Sequence, residues 1–180
     1  MNRLLIVVDY QKDFVDGALG FSGAEKLAEP IAGRIGEYRA CGGDVAFTLD
    51  THEPGYLDTQ EGNKLPVPHC IRDSGGWELY GPVAGAVRES DPLFLKPTFP
   101  SLELGEWLKA REYTQVELCG LVSHICVLSN AVVAKAALPE AEIIVDANLT
   151  ASYDPALHEK ALDVLEGLQV TVLNRKESRP

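Results

Sequence analysis

Five consecutive aliphatic residues, Leu4 to Val8, open the patterned part of the chain and run directly into Asp9. A short run that is apolar on both faces predicts a strand buried inside a parallel sheet. The pattern then changes period. Over residues 24–41 the apolar positions Leu27, Ile31, Ile35 and Tyr38 recur at helical spacing, and Gly42-Gly43 ends the helix. Further strands are expected at 44–49, 92–96, 115–121, 142–147 and 169–173, and further helices at 101–112, 124–137 and 155–168. Strands alternating with helices indicate an α/β fold with a mostly parallel sheet. With no repeat or linker composition, the 180 residues read as one domain, 1–180. Residues 51–76 are too long and polar for a plain connection, and loops of that length usually carry function.

Composition narrows the function more than the fold. Hydrophobic content of 46% and charged content of 24% are those of an ordinary globular protein. A net charge of −11, with no dense basic patch, would repel phosphate backbones, so nucleic acid is not an expected partner. The N-terminal apolar run is too short for a signal peptide or a membrane span. Four scattered cysteines without an export signal are expected to be reduced, in a cytoplasmic protein.

In parallel α/β sheets, ligands bind outside the carboxyl ends of the strands. Asp9, Asp50 with His52, and Lys96 stand at three of those ends, and Cys126 lies just beyond a fourth. Each alone fits a turn, a cap or packing; their convergence on one edge points to a site. Cys119 falls inside an apolar strand and is expected to be inert packing, whereas Cys126 lies near a helix start. There, free amides and the helix dipole would lower the thiol pKa, helped by a nearby lysine. Cys126 as nucleophile, Asp9 as proton shuttle and Lys96 as activating cation form a candidate triad. Asp50 and His52 face one side of an extended strand end, and His69 follows 17 residues after His52. Imidazole and carboxylate suit zinc, iron or manganese, although on spacing alone the simpler reading is a loop carrying surface histidines.

The segments IVVDYQKDF, FLKPTFPS and CGLVSHICV together resemble the three signatures of the isochorismatase-like cysteine hydrolases, over residues 3 to 173. The resemblance implies a three-layer α-β-α fold around a doubly wound sheet of six mostly parallel strands. It implies Asp9 as acid/base, Lys96 as cation and Cys126 as nucleophile. It also implies a cis peptide at Leu121–Val122, with the Val122 and Cys126 amides as the oxyanion hole. D-x-H at Asp50 and His52, followed by P-H at His69, is similar to the metal signature of the nicotinamidase branch. That implies one divalent ion, zinc first, with iron or manganese as alternatives. The loop lacks the further histidine common in that branch, and Glu61 is the candidate for its place. Phe14 matches an aromatic position that packs on the pyridine ring. The aromatic residue usual shortly before the second metal histidine is replaced here by LPVP, with Trp77 or Tyr56 as candidate substitutes.

The expected activity is hydrolysis of nicotinamide to nicotinate and ammonia through a cysteine thioester. Another small amide or ureido substrate is the alternative, and a non-catalytic binding module the second. Isochorismate cleavage is disfavoured by the cysteine and the metal motif. A small-molecule amide partner, no nucleic acid, no membrane and a homo-oligomer complete the expectation.

Overall fold

The computed structural model describes residues 2–175. Six parallel strands form one sheet in the order β3-β2-β1-β4-β5-β6. The chain runs β1 (Arg3–Val8), α1 (Lys12–Val15), α2 (Ala28–Ala40), β2 (Asp44–Asp50), α3 (Gln60–Lys64) and α4 (Gly81–Ala86). It continues β3 (Leu93–Lys96), α5 (Leu102–Lys109), β4 (Gln115–Leu121), α6 (Leu128–Ala137), β5 (Glu142–Ala151), α7 (Pro155–Gly167) and β6 (Thr171–Leu173). Among the described residues no helix is long and apolar enough to cross a membrane.

The aliphatic run of β1 is explained by its central place in the sheet. Leu5 and Val7 enter one core, with Ile31, Ile35 and Tyr38 of α2 and Val83 of α4. Leu4, Ile6 and Val8 enter the other, with Leu104 and Leu108 of α5, Ala131 and Ala134 of α6, and Leu162 and Leu165 of α7. A strand covered by helices on both sides has no polar face. The two cysteines of β4 and the following turn also separate this way: Cys119 packs in the first core and Cys126 in the second. They are not a pair.

Several boundaries differ from the periodicity reading. Residues Ala24–Leu27 form a 3-10 turn before α2 begins. β5 extends four residues past the expected end, because its pairing with β4 shifts register between Leu118 and Gly120 and then resumes at Thr150 and Ala151. β6 starts two residues late, after Gln169 turns the chain with a φ of 64°. The loop 51–76 contains α3, whose N-cap Thr59 accepts a hydrogen bond from the Gly62 amide.

Strand order reverses between β1 and β4, each of which feeds a helix to a different face. The crevice at such a reversal is the usual ligand position in open α/β sheets. Gly120 sets how close those two strands lie at that end. Its φ is +109°, and a Cβ there would stand 2.0 Å from the Val8 carbonyl oxygen. Gly120→Ala is expected to cost about 3 kcal/mol or more, from left-handed strain plus backbone overlap. Urea unfolding checks this, and a loss below about 1 kcal/mol would show that the strands separate easily.

Candidate active site

Four strand ends bring the polar residues together. β1 leads directly into Asp9, whose φ of 46° lies in the left-handed region, unusual for a non-glycine residue. The Asp9 amide donates to the Thr48 carbonyl at 3.1 Å, and the Thr48 hydroxyl donates to Asp9 Oδ1 at 2.6 Å. From the end of β3, Lys96 Nζ reaches Asp9 Oδ2 at 2.6 Å and Asp50 Oδ1 at 3.1 Å. It also donates to the Thr98 carbonyl at 3.1 Å and lies 3.7 Å from Cys126 Sγ. Asp9, Lys96 and Cys126 are therefore adjacent, and all three are buried.

Burial and charge decide the protonation states. Burial alone would strip the proton from Lys96, but Asp9, the Cys126 sulfur and Asp50 outweigh it and hold the ammonium. Burial raises the Asp9 pKa, Lys96 pulls it down and Asp50 pushes it up, with a net rise that makes Asp9 a better base. Burial also pushes the Cys126 thiol well above its ordinary value; Lys96 opposes this, while Asp9 and Asp50 add to it. This corrects the sequence expectation of a lowered thiol pKa. The helix-start argument assumed a partly solvated sulfur, whereas this one is desolvated beside two carboxylates.

The turn carrying Cys126 is a π-helical one, Ser123–Val127, leading into α6. The Leu121–Val122 peptide is cis, as expected. Ile125 and Val127 donate their amides to the Val122 carbonyl at 3.1 and 3.2 Å, so neither of these is one of the pair assigned to the oxyanion hole. Val122 and Cys126 both line the same cavity.

The second constellation also assembles. The His52 amide donates to the Cys70 carbonyl at 3.0 Å, and the Arg72 amide donates to the His52 carbonyl at 2.8 Å. This short parallel bridge carries His69 beside His52 despite the long loop between them. Asp50 Oδ2 lies 3.1 Å from His52 Nε2 and 3.3 Å from His69 Nε2. Glu61 Oε1, delivered by α3, is 3.7 and 4.0 Å from the same nitrogens. All four donor atoms lie within 4.8 Å of one another. Bonds of about 2.0–2.2 Å to one ion put donors at just such separations, so two imidazoles and two carboxylates fit a divalent ion of the zinc type. His69 Nδ1 contacts the Val67 carbonyl at 2.8 Å, which leaves Nε2 free for a ligand. Burial would raise Asp50, but Lys96 and the two histidines overcome it and keep the carboxylate ionised, as a ligand must be.

The N-terminal motif holds both halves in place, a role its spacing does not reveal. The buried Gln11 side chain donates to the Asp50 carbonyl at 2.9 Å and the Trp77 carbonyl at 2.8 Å, and accepts from the Asp50 amide at 2.8 Å. Asp13 accepts the Cys70 amide at 2.7 Å, next to His69. Gln11→Ala is expected to weaken divalent-metal affinity about 10-fold or more by loosening Asp50. Competition with a chelating dye measures this; unchanged affinity in folded protein would refute it.

The cavity before Cys126 has a volume of about 480 Å³. Phe14 lines it and stands edge-on to His69, with ring centroids 5.6 Å apart. Neither candidate substitute for the missing aromatic faces this cavity. Trp77 donates its indole N–H to the Thr51 hydroxyl at 2.9 Å, and Tyr56 is buried against His52 and His69. Leu65, Phe99 and Tyr153 supply the wall instead. Aromatic character alone pointed only to the conspicuous loop residues; these three come from separate connections.

A family model described as an isochorismatase domain matches residues 3–177. An uncharacterized isochorismatase family protein, PncA, of Bacillus subtilis is 31% identical over 144 residues, covering 73% of this chain and 78% of that protein. A streptothricin hydrolase of Streptomyces noursei is 30% identical over 133 residues, covering 72% of this chain. The match spans only 43% of that hydrolase, less than half its length. The crystal structure of nicotinamidase PncA from Bacillus subtilis superposes with a TM-score of 0.85 at 28% identity, covering 97% of this chain and 100% of that one.

Proposed function

The chain belongs to the isochorismatase family, and on that premise we propose that it is an amidohydrolase that converts nicotinamide to nicotinate and ammonia. The observation that carries this is the buried contact of Cys126 Sγ with Lys96 Nζ, itself paired with Asp9, beside the four-donor cluster. The similarity to a nicotinamidase structure supports the substrate.

The resting thiol is protonated and gives its proton to Asp9 as the sulfur attacks the carboxamide carbon. The Val122 and Cys126 amides stabilise the oxyanion as it forms. Collapse of the tetrahedral adduct breaks the C–N bond, and the proton held on Asp9 leaves with ammonia. Water then attacks the Cys126 thioester, its proton passing through Asp9 back to the sulfur as the acid departs. Lys96 stays charged throughout and keeps Asp9 oriented. A divalent ion, zinc first with iron or manganese as alternatives, would be held by Asp50, His52, Glu61 and His69 and would supply a Lewis-acid anchor for a ring nitrogen.

A second reading keeps the triad and takes another small amide or ureido compound. The aliphatic Leu65 on the cavity wall favours it, since Leu65 offers no ring face to stack on a pyridine. Ammonia release from nicotinamide tests the choice, run with untreated, chelator-treated and Cys126→Ala protein. Loss in both controls is the expected result. Folded, metal-loaded protein that releases no ammonia removes nicotinamide as the substrate.

A further inference from the structure

The cavity that reaches Cys126 is larger than a single pyridine carboxamide needs. Its 480 Å³ falls in the range of sites that enclose drug-sized molecules. Asp50, Glu61, His69 and the Cys126 thiol line it together. The apolar lining includes Leu19, Leu65, Phe99 and Tyr153. Three of these remain well exposed: Leu65 at 37%, Phe99 at 41% and Tyr153 at 58%. A cluster of exposed apolar side chains around a cavity mouth marks a surface that a ligand covers.

Tyr153 is also held where it stands. Its ring is edge-on to Phe21 at 6.4 Å and to His124 at 5.2 Å between centroids. His124 is in turn fixed by Ser152, whose hydroxyl lies 2.9 Å from Nδ1. The Ser152 hydroxyl accepts the Asp154 amide at 3.0 Å, and Asp154 caps α7. The mouth is thus braced from the start of a helix, and binding there needs little ordering of Tyr153.

We propose that the preferred substrate is bipartite: an aryl carboxamide whose amide meets Cys126 and whose ring carries a further apolar group seated against Leu65, Phe99 and Tyr153. This rests on the thiol amidase reading above. Binding of the extra group is made with ground state and transition state alike, so its effect should appear mainly in KM.

The test compares ammonia release from nicotinamide with release from two nicotinamides whose ring carbon 5 bears a phenyl group, attached directly or through one methylene. Wild-type and Tyr153→Ala protein are both assayed. At least one phenyl amide is expected to show kcat/KM about tenfold or more above nicotinamide, as burial of one apolar ring allows. Tyr153→Ala should erode that advantage. Phenyl amides no better than nicotinamide would overturn the bipartite proposal and leave the amidase reading standing. An advantage that survives Tyr153→Ala would overturn the seating against this wall. Release from none of the three amides would overturn the amidase reading and this proposal with it.

Discussion

Alanine in place of Cys126 is expected to lower kcat for amide hydrolysis by about 10⁴-fold or more, the usual scale for losing a covalent nucleophile. Folding should survive. The resting thiol is neutral, so its removal leaves Lys96 still paired with Asp9 and Asp50. What goes is one sulfur from a buried contact, a small cavity by the standard of core truncations. Cys119→Ala is the matched control, because Cys119 is equally buried but packs in the opposite core. It should leave kcat within about twofold. The assay is ammonia release under saturating amide, with mass spectrometry of the quenched wild-type protein to catch the acyl group on Cys126. Residual turnover of Cys126→Ala within tenfold of wild type would sink the thioester route.

The raised thiol pKa bears on this result. A neutral thiol is a weak nucleophile, so the proton must move to Asp9 during attack. Asp9 fits that task because burial lifts its basicity while Lys96 keeps the charged form affordable. The two perturbations move together: the desolvation that keeps sulfur protonated also strengthens the base that removes the proton.

How much of this was legible in the chain depends on whether the signal was local. The run Leu4–Val8 ending in Asp9 encoded a central strand and a residue at its carboxyl end without reference to anything distant. Lys96 and Asp50 were readable for the same reason. Protonation was not readable, because the thiol pKa depends on how completely packing excludes water from Cys126. Gln11 and Asp13 carry no local signal of their partners, and only the folded loop shows which backbone groups they hold. The cavity wall was readable only at Leu65, the first residue of the LPVP segment; Phe99 and Tyr153 gave no signal. Leu65, Phe99 and Tyr153 lie on three connections whose meeting is a property of the whole sheet. Glu117 is a similar case within a strand: an acid buried in β4, matched by the Tyr38 hydroxyl at 2.8 Å and Arg34 at 3.3 Å from two turns of α2.

Lys96→Met should give the largest loss of stability of any substitution at the site. The side chains of Lys96 and Asp9 are fully buried and that of Asp50 nearly so, at 4%. Removing the cation leaves Asp9 buried with no counter-ion and Asp50 with only the two histidines beside it, and breaking a buried ion pair usually costs about 3–5 kcal/mol. The deficit should depend on pH in a definite direction. In the variant, burial and Asp50 act on Asp9 with no lysine to oppose them, so its folded pKa rises further above the ordinary 3.8. A carboxyl whose folded pKa exceeds its unfolded one is most favourable below the unfolded value and costs stability as pH climbs through the folded value. The gap between variant and wild type should therefore be smallest near pH 4 and widest near neutrality. Urea unfolding of metal-free protein across that range measures it, and metal-free conditions keep ion binding at Asp50 out of the comparison. Adding Asp9→Asn to Lys96→Met should recover part of the loss at pH 7, since it removes one of the stranded charges. A deficit constant from pH 4 to 7, or no recovery in the double variant, would show that Lys96 acts by packing alone and not as the counter-ion that keeps Asp9 ready to accept a proton.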